Sequence, residues 1–224
     1  AEGTYYRPAD AASRASTVRV FEYLPAPGLW VSGYMYGPLF TATTMAEACA
    51  YVQSRFDINY MISLGAWGGY VVAGFDHSVD NSGGGVDLAI RGNPYSYQSE
   101  PGVVWVAQDE NGDGEPNDTW YELAGSEYDS AETIYDYSVT YYQPTRAQAA
   151  VLWRDNRGGG GTIDHNAYWN PSDSYYQPWL PEGECTFYGT RLLDRSYIDA
   201  SGQTVVPPYD WGYADNAGKS DYDG

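Results

Sequence analysis

A series of short apolar and aromatic segments, each bounded by Gly, Pro, Asn or Asp, runs through most of this chain of 224 residues. Such segments are typical of strands, because aromatic and β-branched side chains favour pleated surfaces and Gly and Pro favour turns. The segments predicted as strands are residues 16–28, 60–66, 68–79, 85–93, 102–108, 119–125, 137–143, 149–155 and 184–193. Since no helical pattern separates most of them, we predict an all-β fold, an antiparallel β-sandwich of jelly-roll type.

One segment, residues 43–56, has the pattern of a helix. Thr44 and Glu47 have the spacing of a capping box. The apolar residues predicted to share one face and to pack in the core are Met45, Cys49, Val52 and Phe56. We therefore predict a single domain, in which residues 1–60 form an N-terminal elaboration with one short helix and residues 61–224 form the sandwich core.

The charge of the chain restricts its partners. There are 30 acidic and 11 basic residues, and the formal net charge is −19. Such a surface repels nucleic-acid phosphates and anionic lipid head groups, so we expect neither as a partner. No segment approaches the roughly 20 apolar residues of a membrane span, and direct membrane insertion is not expected. The charge is compatible with an exported protein or with one that binds divalent cations.

The two cysteines, Cys49 and Cys185, lie far apart in the sequence and have no metal-ligand spacing. An extracellular chain could pair them in a disulfide, whereas buried free thiols are the alternative. The sequence leaves both open, and cysteine usage does not assign a compartment.

An acidic stretch, residues 109–118, connects two predicted strands and carries five carboxylates. Carboxylates this close repel one another unless a cation compensates their charge. The oxygen-bearing residues predicted to bind Ca²⁺ are Asp109, Asn111, Asp113, Glu115, Asn117 and Asp118. Alternate oxygen ligands followed by Gly114, which allows the backbone to turn sharply, resemble the first half of a calcium loop. The twelfth position departs from that pattern, since it is Trp120 rather than glutamate, and Glu122 is a further possible ligand.

We interpret the calcium as structural, because it would hold a hairpin in place rather than activate water. Mg²⁺ fits less well, since it requires a more regular set of ligands. The alternative is an acidic turn that is solvated and binds no metal.

Several motifs resemble a family of exported cell-surface proteins typical of gut Bacteroidota, often described as PKD-like. The segments that carry the resemblance are residues 63–79 (SLGAWGGYVVAGFDHSV), 92–128, 139–144 (VTYYQP) and 209–216 (YDWGYADN). The resemblance covers most of residues 16–216. It implies a lipid-anchored, outward-facing binding protein with a β-sandwich fold, associated with cobamide (vitamin B12) capture or glycan uptake. The chain begins at Ala1 without a lipobox cysteine, which is expected of a trimmed form or another anchoring mode.

Little in the sequence indicates catalysis. Each histidine follows an aspartate, in the pairs Asp76–His77 and Asp164–His165. Adjacent residues of a strand point to opposite faces, so we expect neither pair to form an Asp–His couple. No nucleophile-elbow sequence is present, and Gly158–Gly161 lacks the features of a phosphate loop. We therefore predict a protein that is not an enzyme, in which residues 158–161 form a loop.

The long connection 153–183 is rich in aromatic residues, which can form a platform for a sugar ring or a corrin face. Its predicted ligand-binding residues are His165, Tyr168, Trp169, Tyr175, Tyr176 and Trp179. The alternative is that these aromatics pack down and hold the loop. Segments 93–102 and 207–216 have the same character and would line one rim if the fold brings them together. They add Tyr95, Tyr97 and Trp211 to the predicted ligand-binding residues.

Taken together, these features predict a calcium-stabilised, non-catalytic protein of the bacterial cell surface that captures a nutrient. The candidate ligands are a cobamide, with His165 as a cobalt ligand, and a glycan. An outer-membrane transporter or another surface protein would be the partner. A carbohydrate-active enzyme and a structural or adhesive surface module are the alternatives.

Overall fold

The structure, a computed structural model, describes residues 5–31, 41–81, 83–94, 97–170 and 174–216. Within these residues it contains ten strands and one helix, which confirms the predicted all-β class with one short helix. The elements are β1 Arg19–Leu24, α1 Met45–Asp57, β2 Tyr70–Gly74, β3 Trp105–Ala107, β4 Trp120–Glu122, β5 Ile134–Tyr142, β6 Val151–Asp155, β7 Gly160–Ile163, β8 Glu184–Arg191, β9 Tyr197–Ile198 and β10 Thr204–Val205. The strands form three two-stranded sheets and one four-stranded sheet, and the jelly-roll sandwich stays a prediction.

Two compact units make up the chain. Unit 1 consists of Ala1–Pro8, Ser78–Tyr135 and Thr190–Gly224, and unit 2 consists of Ala9–His77 and Asp136–Gly189. The pairs β3–β4 and β9–β10 belong to unit 1, whereas α1 and the pair β1–β2 belong to unit 2. The predicted single domain stays a prediction, and each unit is described by itself.

Helix α1 begins with the predicted capping box. The Thr44 hydroxyl accepts a hydrogen bond from the N–H of Glu47 (3.3 Å), and the Glu47 carboxylate accepts one from the N–H of Thr44 (3.2 Å). A buried cluster joins the helix to β1, and it consists of Ala48, Cys49, Val52, Val20 and Tyr23, with Met45 and Phe56 packed against it. The predicted apolar face is thereby confirmed as core. Within the described residues, no helix has the length and apolar character needed to cross a bilayer.

The four-stranded sheet has the strand order β7-β6-β5-β8. Along β5, the side chains of Tyr137, Val139 and Tyr141 are buried in alternation with more exposed neighbours, as expected for a strand with one core-facing side. The ring of Trp67 packs edge-on against that of Tyr137 at a centroid distance of 4.7 Å. The segment before β2 therefore covers this face of the sheet within unit 2.

Two segments predicted as strands are not strands. Residues 60–66 contact the chain at Ala26 through a single bridge, and Gly65 has a φ of 75°, which interrupts an extended backbone. In residues 85–93 the side chain of Val86 is 83% exposed, so the apolar alternation has no core face to pack on. Both strand predictions are wrong.

A strand was also missed where Gly158–Gly161 was predicted to be a loop. Strand β7 begins at Gly160 and pairs with β6, where Gly161 lies opposite Trp153. A Cβ at Gly161 would lie 3.2 Å from the indole nitrogen of Trp153. Glycine therefore lets the indole approach the neighbouring strand, a reason for Gly in a strand that the sequence alone did not reveal. The short strands β9 and β10 were not predicted either.

The two cysteines are free, and both are buried. Desolvation raises the pKa of the Cys49 thiol and of the Cys185 thiol. Of the two alternatives that the sequence left open, buried free thiols describe the structure.

Candidate functional site

The predicted calcium ligands lie on the connection between β3 and β4, residues 108–119. Asp109 organises its first turn, since Oδ1 accepts a hydrogen bond from the N–H of Gly112 (2.7 Å) and Oδ2 accepts one from that of Gly114 (3.1 Å). These glycines have φ of 78° and 74°, a region that glycine adopts without strain. A Cβ on Gly112 would also lie 2.5 Å from the ring of Tyr5. The sharp turn predicted at Gly114 agrees with this geometry.

A second set of hydrogen bonds joins Asn111, Asp113 and Asn117. The Asn111 Oδ1 accepts from the N–H of Asp113 (2.8 Å), and its Nδ2 donates to Asn117 Oδ1 (3.1 Å). Asp113 accepts from the Asn117 side chain (2.9 Å) and from the N–H of Glu115 (2.8 Å). These two donors hold the pKa of Asp113 below its usual value, with the larger effect from Asn117. Residues 109–118, which we call the acidic tip, are therefore stabilised by their own side chains.

The remaining residues near the tip differ in their surroundings. The Oδ2 atom of Asp118 is buried and has no hydrogen-bond partner among the described residues. Trp120 donates its indole N–H to the carbonyl of Pro116 (3.3 Å). Glu122 lies in β4, away from the turn, and accepts a hydrogen bond from the Thr190 hydroxyl. Of the predicted calcium ligands that the structure describes, Asp118 is thus the one with a buried carboxylate oxygen that accepts no hydrogen bond.

Calcium binding at the tip stays a prediction. In the part of the chain that the structure describes, no group of three or more Asp, Glu, His or Cys side chains is arranged to hold a metal ion. The guanidinium of Arg7 lies 3.9 Å from Asp109 Oδ2, so a positive charge already lies beside one of the predicted ligands. The predicted ligands are nevertheless hard oxygen donors, the type that Ca²⁺ prefers.

Three aromatic side chains of unit 2, Trp30, Tyr168 and Trp169, pack against one another. The Tyr168 ring lies 4.6 Å from that of Trp169 at an interplanar angle of 86°, and Trp169 lies 5.4 Å from Trp30 at 64°. Tyr168 is 77% exposed and Trp169 is 39% exposed. Two nearly perpendicular rings therefore meet at the surface, with a third behind them. We call these three residues the aromatic corner.

The backbone around Asn166 holds the aromatic corner in place. The Asn166 Oδ1 accepts from the N–H groups of Tyr168 (3.2 Å) and Trp169 (3.3 Å), which is an Asx turn. The Asn166 carbonyl accepts from the N–H of Asn170 (2.9 Å). Trp30 has a φ of 69°, which is uncommon for a bulky residue and costs about 1–3 kcal/mol. Trp30 was not predicted as a site residue, because nothing near it in the sequence marks it.

The other aromatic residues of this loop pack inward. Tyr175 and Tyr176 are 2% and 4% exposed, and the Tyr175 hydroxyl accepts a hydrogen bond from the N–H of Asn166 (3.0 Å). Trp179 stacks on Tyr23 at 6.1 Å and donates its indole N–H to the Tyr23 carbonyl (2.8 Å). The packing alternative, rather than an exposed platform, therefore describes Tyr175, Tyr176 and Trp179.

The predicted cobalt ligand His165 is partly buried. Its ring lies 4.9 Å from that of Tyr175 at an angle of 37°. One face of the imidazole is thus used in packing, and cobalt ligation by His165 stays a prediction.

The pair Asp76–His77 differs from the expectation. The His77 Nδ1 lies 2.7 Å from Asp76 Oδ1, so the two side chains do form a couple. The alternation rule fails because β2 ends at Gly74 and the chain bends at these residues. The contact with His77 lowers the pKa of Asp76, and the N–H of Arg14 also donates to this carboxylate (3.2 Å). The prediction that adjacent residues here cannot couple is wrong, although the contacts are those of a structural pair.

The two rim segments of unit 1 do come together. Segments 97–102 and 206–216 pair along their backbones, and Gly102 and Ala214 exchange two hydrogen bonds of 2.8 and 2.9 Å. The sequence analysis predicted a rim on the condition that the fold brings these two segments together, and their described residues do lie together.

The predicted binding residues of this rim are exposed where the structure describes them. Tyr97 is 67% exposed and Trp211 is 59% exposed, whereas Tyr95 lies outside the described residues. Tyr97 also has a φ of 69°. Tyr97 and Trp211 belong to unit 1, and the aromatic corner belongs to unit 2.

Two carboxyl groups of the rim were missed by the sequence prediction. The N–H of Glu100 donates to the carbonyl of Asp215 (3.0 Å), and the Asp215 carboxylate accepts from the N–H of Asn93 (2.7 Å). Partial desolvation raises the pKa of both carboxyl groups, and the charge of Asp215 raises that of Glu100 further. Because the chain has 30 acidic residues, no sequence signal distinguishes these two.

Comparison of the chain with protein-family models gives no match. Comparison with curated proteins gives none either. The resemblance to exported Bacteroidota proteins therefore stays a prediction, and the functional assignment depends on the geometry described above.

Proposed function

We propose that this is a non-catalytic surface protein that captures a nutrient ligand, which the aromatic corner contacts. The observation that carries the proposal is the exposed ring of Tyr168. Asn166 already fixes its backbone, and its ring already packs against that of Trp169. A ring held in this way loses little conformational entropy when it binds a ligand. It offers a large apolar face with a hydroxyl at its edge, as aromatic recognition residues do.

The shape of the aromatic corner favours a glycan over a cobamide. The 86° angle between Tyr168 and Trp169 leaves each ring to stack separately, on an area about the size of one sugar ring. A corrin has a broader flat face, which needs coplanar contacts. The ring of His165 packs on Tyr175 instead of standing clear for a metal, which also favours a glycan.

Structural calcium at the acidic tip belongs to the same proposal. It is supported by the alternate oxygen side chains from Asp109 to Asp113, by the left-handed Gly114 and by the open buried oxygen of Asp118. An ion there would replace some hydrogen bonds of the tip and compensate the repulsion of its carboxylates. It would stiffen unit 1 and take no part in chemistry.

Export to the bacterial surface is the setting we propose for this capture. The motifs of residues 63–79 and 92–128 and the net charge of −19 support it. An outer-membrane transporter or another surface protein would then receive the ligand.

A second candidate is a carbohydrate-active enzyme, favoured by the adjacent Glu100 and Asp215 with their raised pKa values. Paired carboxyl groups in different protonation states are the usual machinery of glycoside hydrolysis. Assaying a polysaccharide panel for new reducing ends tests this candidate. Product formation that is lost in Glu100→Gln would establish it in place of simple capture.

The leading proposal is tested by binding. Wild-type protein is screened on a glycan array and titrated calorimetrically with cyanocobalamin, each with and without a calcium chelator. We expect a glycan to bind and Trp169→Ala to weaken it about tenfold or more, which corresponds to about 1.4 kcal/mol.

Trp105→Ala is the matched control, because Trp105 is a tryptophan of unit 1 with similar exposure, 43% against 39%. We expect it to bind the glycan as wild type does. Equal losses in both variants, or binding of cyanocobalamin alone, would contradict the assignment of a glycan to the aromatic corner.

A further inference from the structure

A second group of exposed aromatic residues lies in unit 1, around Glu122. Trp105 lies directly opposite Glu122 in the β3–β4 pair, so the two side chains share one face of this ribbon. The rings of Tyr128 and Tyr135 pack edge to face at 5.7 Å and 70°. Trp105, Tyr128 and Tyr135 are 43%, 39% and 45% exposed.

The carboxylate of Glu122 lies near enough to Tyr135 to influence its hydroxyl. The pKa of the Tyr135 hydroxyl is raised by partial desolvation, then by Tyr128, and then by the nearby Glu122 and Asp129. Glu122 also contributes to the raised pKa of Tyr213, whose hydroxyl is held by a neighbouring N–H. Glu122 therefore links the two groups, since it shares a strand-pair face with Trp105 and lies near Tyr135, on which the ring of Tyr128 packs.

Glu122 is positioned but not neutralised. Its Oε2 accepts a hydrogen bond from the Thr190 hydroxyl, which fixes the orientation of the carboxylate. Among the described residues, no Arg or Lys forms an ion pair with Glu122. In the same unit, the guanidinium of Arg195 lies 5.3 Å from the ring centroid of Tyr209. The ring of Tyr209 in turn packs on that of Tyr213 at a centroid distance of 5.2 Å. The Glu122 carboxylate is thus open to an external cation.

We propose that Trp105, Tyr128 and Tyr135 bind a quaternary ammonium group, with Glu122 as its counter-ion. The faces of aromatic rings carry negative potential and attract organic cations, and tryptophan and tyrosine do so most strongly. A trimethylammonium group needs no hydrogen-bond acceptor, so ring faces and one carboxylate satisfy it completely. The negative charge of the whole chain raises the local concentration of such cations. The residues of this site belong to unit 1, and those of the aromatic corner belong to unit 2.

The test uses choline and its neutral carbon isostere, 3,3-dimethylbutan-1-ol, titrated into the full chain by NMR. The two molecules have nearly the same shape and differ in charge. We expect saturable choline binding and about tenfold or more weaker binding of the isostere. Equal affinities for choline and the isostere, or no saturable binding of choline, would overturn the assignment. So would tighter binding of Nα-acetyl-lysine amide, whose side chain keeps its primary ammonium group.

Variants locate the binding to this patch. Glu122→Gln keeps an acceptor for Thr190 and removes the charge, so choline affinity should fall roughly fivefold. Tyr135→Leu should weaken binding to a similar extent, whereas Tyr135→Phe keeps the ring face and should stay within about twofold of wild type. Tyr188→Ala, at an exposed tyrosine of unit 2 outside the aromatic corner, is the matched control and should leave choline binding unchanged. Unchanged affinity in both Glu122→Gln and Tyr135→Leu would contradict the proposal, and the isostere comparison decides if a variant does not fold.

Discussion

The acidic tip and the aromatic loop are both long connections, yet they are ordered in opposite ways. In the tip, carboxylates fold back onto the N–H groups of their own turn, as the partly buried Asp109 does with Gly112 and Gly114. In the loop, buried rings such as Tyr175 anchor the chain to unit 2, and the polar Asn166 only shapes the surface turn. The comparison teaches that local hydrogen bonds can order a charged loop. In the aromatic loop, the buried rings anchor the chain, so that other rings of the same loop can face solvent.

The largest effect should come from removing a buried anchor. Tyr175→Ala leaves a cavity and deprives the N–H of Asn166 of its acceptor, so we expect a loss of about 3–5 kcal/mol in the free energy of unfolding. Chemical denaturation measures this loss. Tyr168→Ala is the matched control and should change stability by less than about 0.5 kcal/mol. Equal losses in the two variants would remove the distinction between anchoring and exposed rings.

Calcium should act next most strongly, and on the tip alone. An ion bound at residues 109–118 stabilises by about 2.7 kcal/mol at a hundredfold excess over its Kd, which raises Tm by about 5–10 °C. Differential scanning calorimetry with calcium and with chelator measures the shift. Asp113→Asn should reduce it, because one ligand charge is lost. An unchanged Tm in wild type would leave the tip ordered by hydrogen bonds alone.

Without calcium, Asp109→Ala should destabilise the tip more than any neighbouring change. It removes the acceptor of two backbone N–H groups, which corresponds to about 1–2 kcal/mol. The exposed Glu110 provides the control, since Glu110→Ala should be nearly neutral. Hydrogen exchange at Gly112 and Gly114 measures the local effect. Fast exchange at these two amides already in wild type would show that the bonds do not order the tip.

The sequence predicted those parts of the structure that follow from local patterns. The capping box at Thr44, the core face of α1 and the turn at Gly114 each depend on residues within a few positions of one another. Strand predictions failed where tertiary contacts decided, since residues 85–93 found no core to cover. They also failed for β7, where Gly161 makes room for an indole on the next strand.

The candidate site was predictable only as a region. Tyr168 and Tyr175 have equivalent chemistry and lie in one polar-aromatic loop, and nothing local separates the exposed ring from the buried one. Trp30 joins the aromatic corner from more than a hundred positions away, so only the folded chain could assign it. The couple of Asp76 and His77 was excluded by a strand rule that does not hold at a bend.

The smallest effect should be the acid response of the tip. The pKa of Asp113 is lowered by its bonds to Asn117 and Glu115, so this carboxylate contributes stability above its ordinary pKa, near 4, and loses it as the pH falls below that value. Amide exchange in residues 111–117 should therefore rise at low pH in excess of the intrinsic rate. Exchange in 166–170 should not, because the hydrogen bonds described for the aromatic corner are accepted by the amide oxygen of Asn166 and not by a carboxylate. A parallel rise in both segments would contradict the contrast.

The most direct test of the proposed function compares two exposed tyrosines of unit 2 on the same glycan. Tyr168 and Tyr188 are 77% and 79% exposed, but Tyr168 belongs to the aromatic corner and Tyr188 lies in β8. Calorimetry should show that Tyr168→Ala weakens binding about tenfold or more and that Tyr188→Ala binds as wild type does. Equal Kd values for wild type and both variants would contradict ligand capture at the aromatic corner.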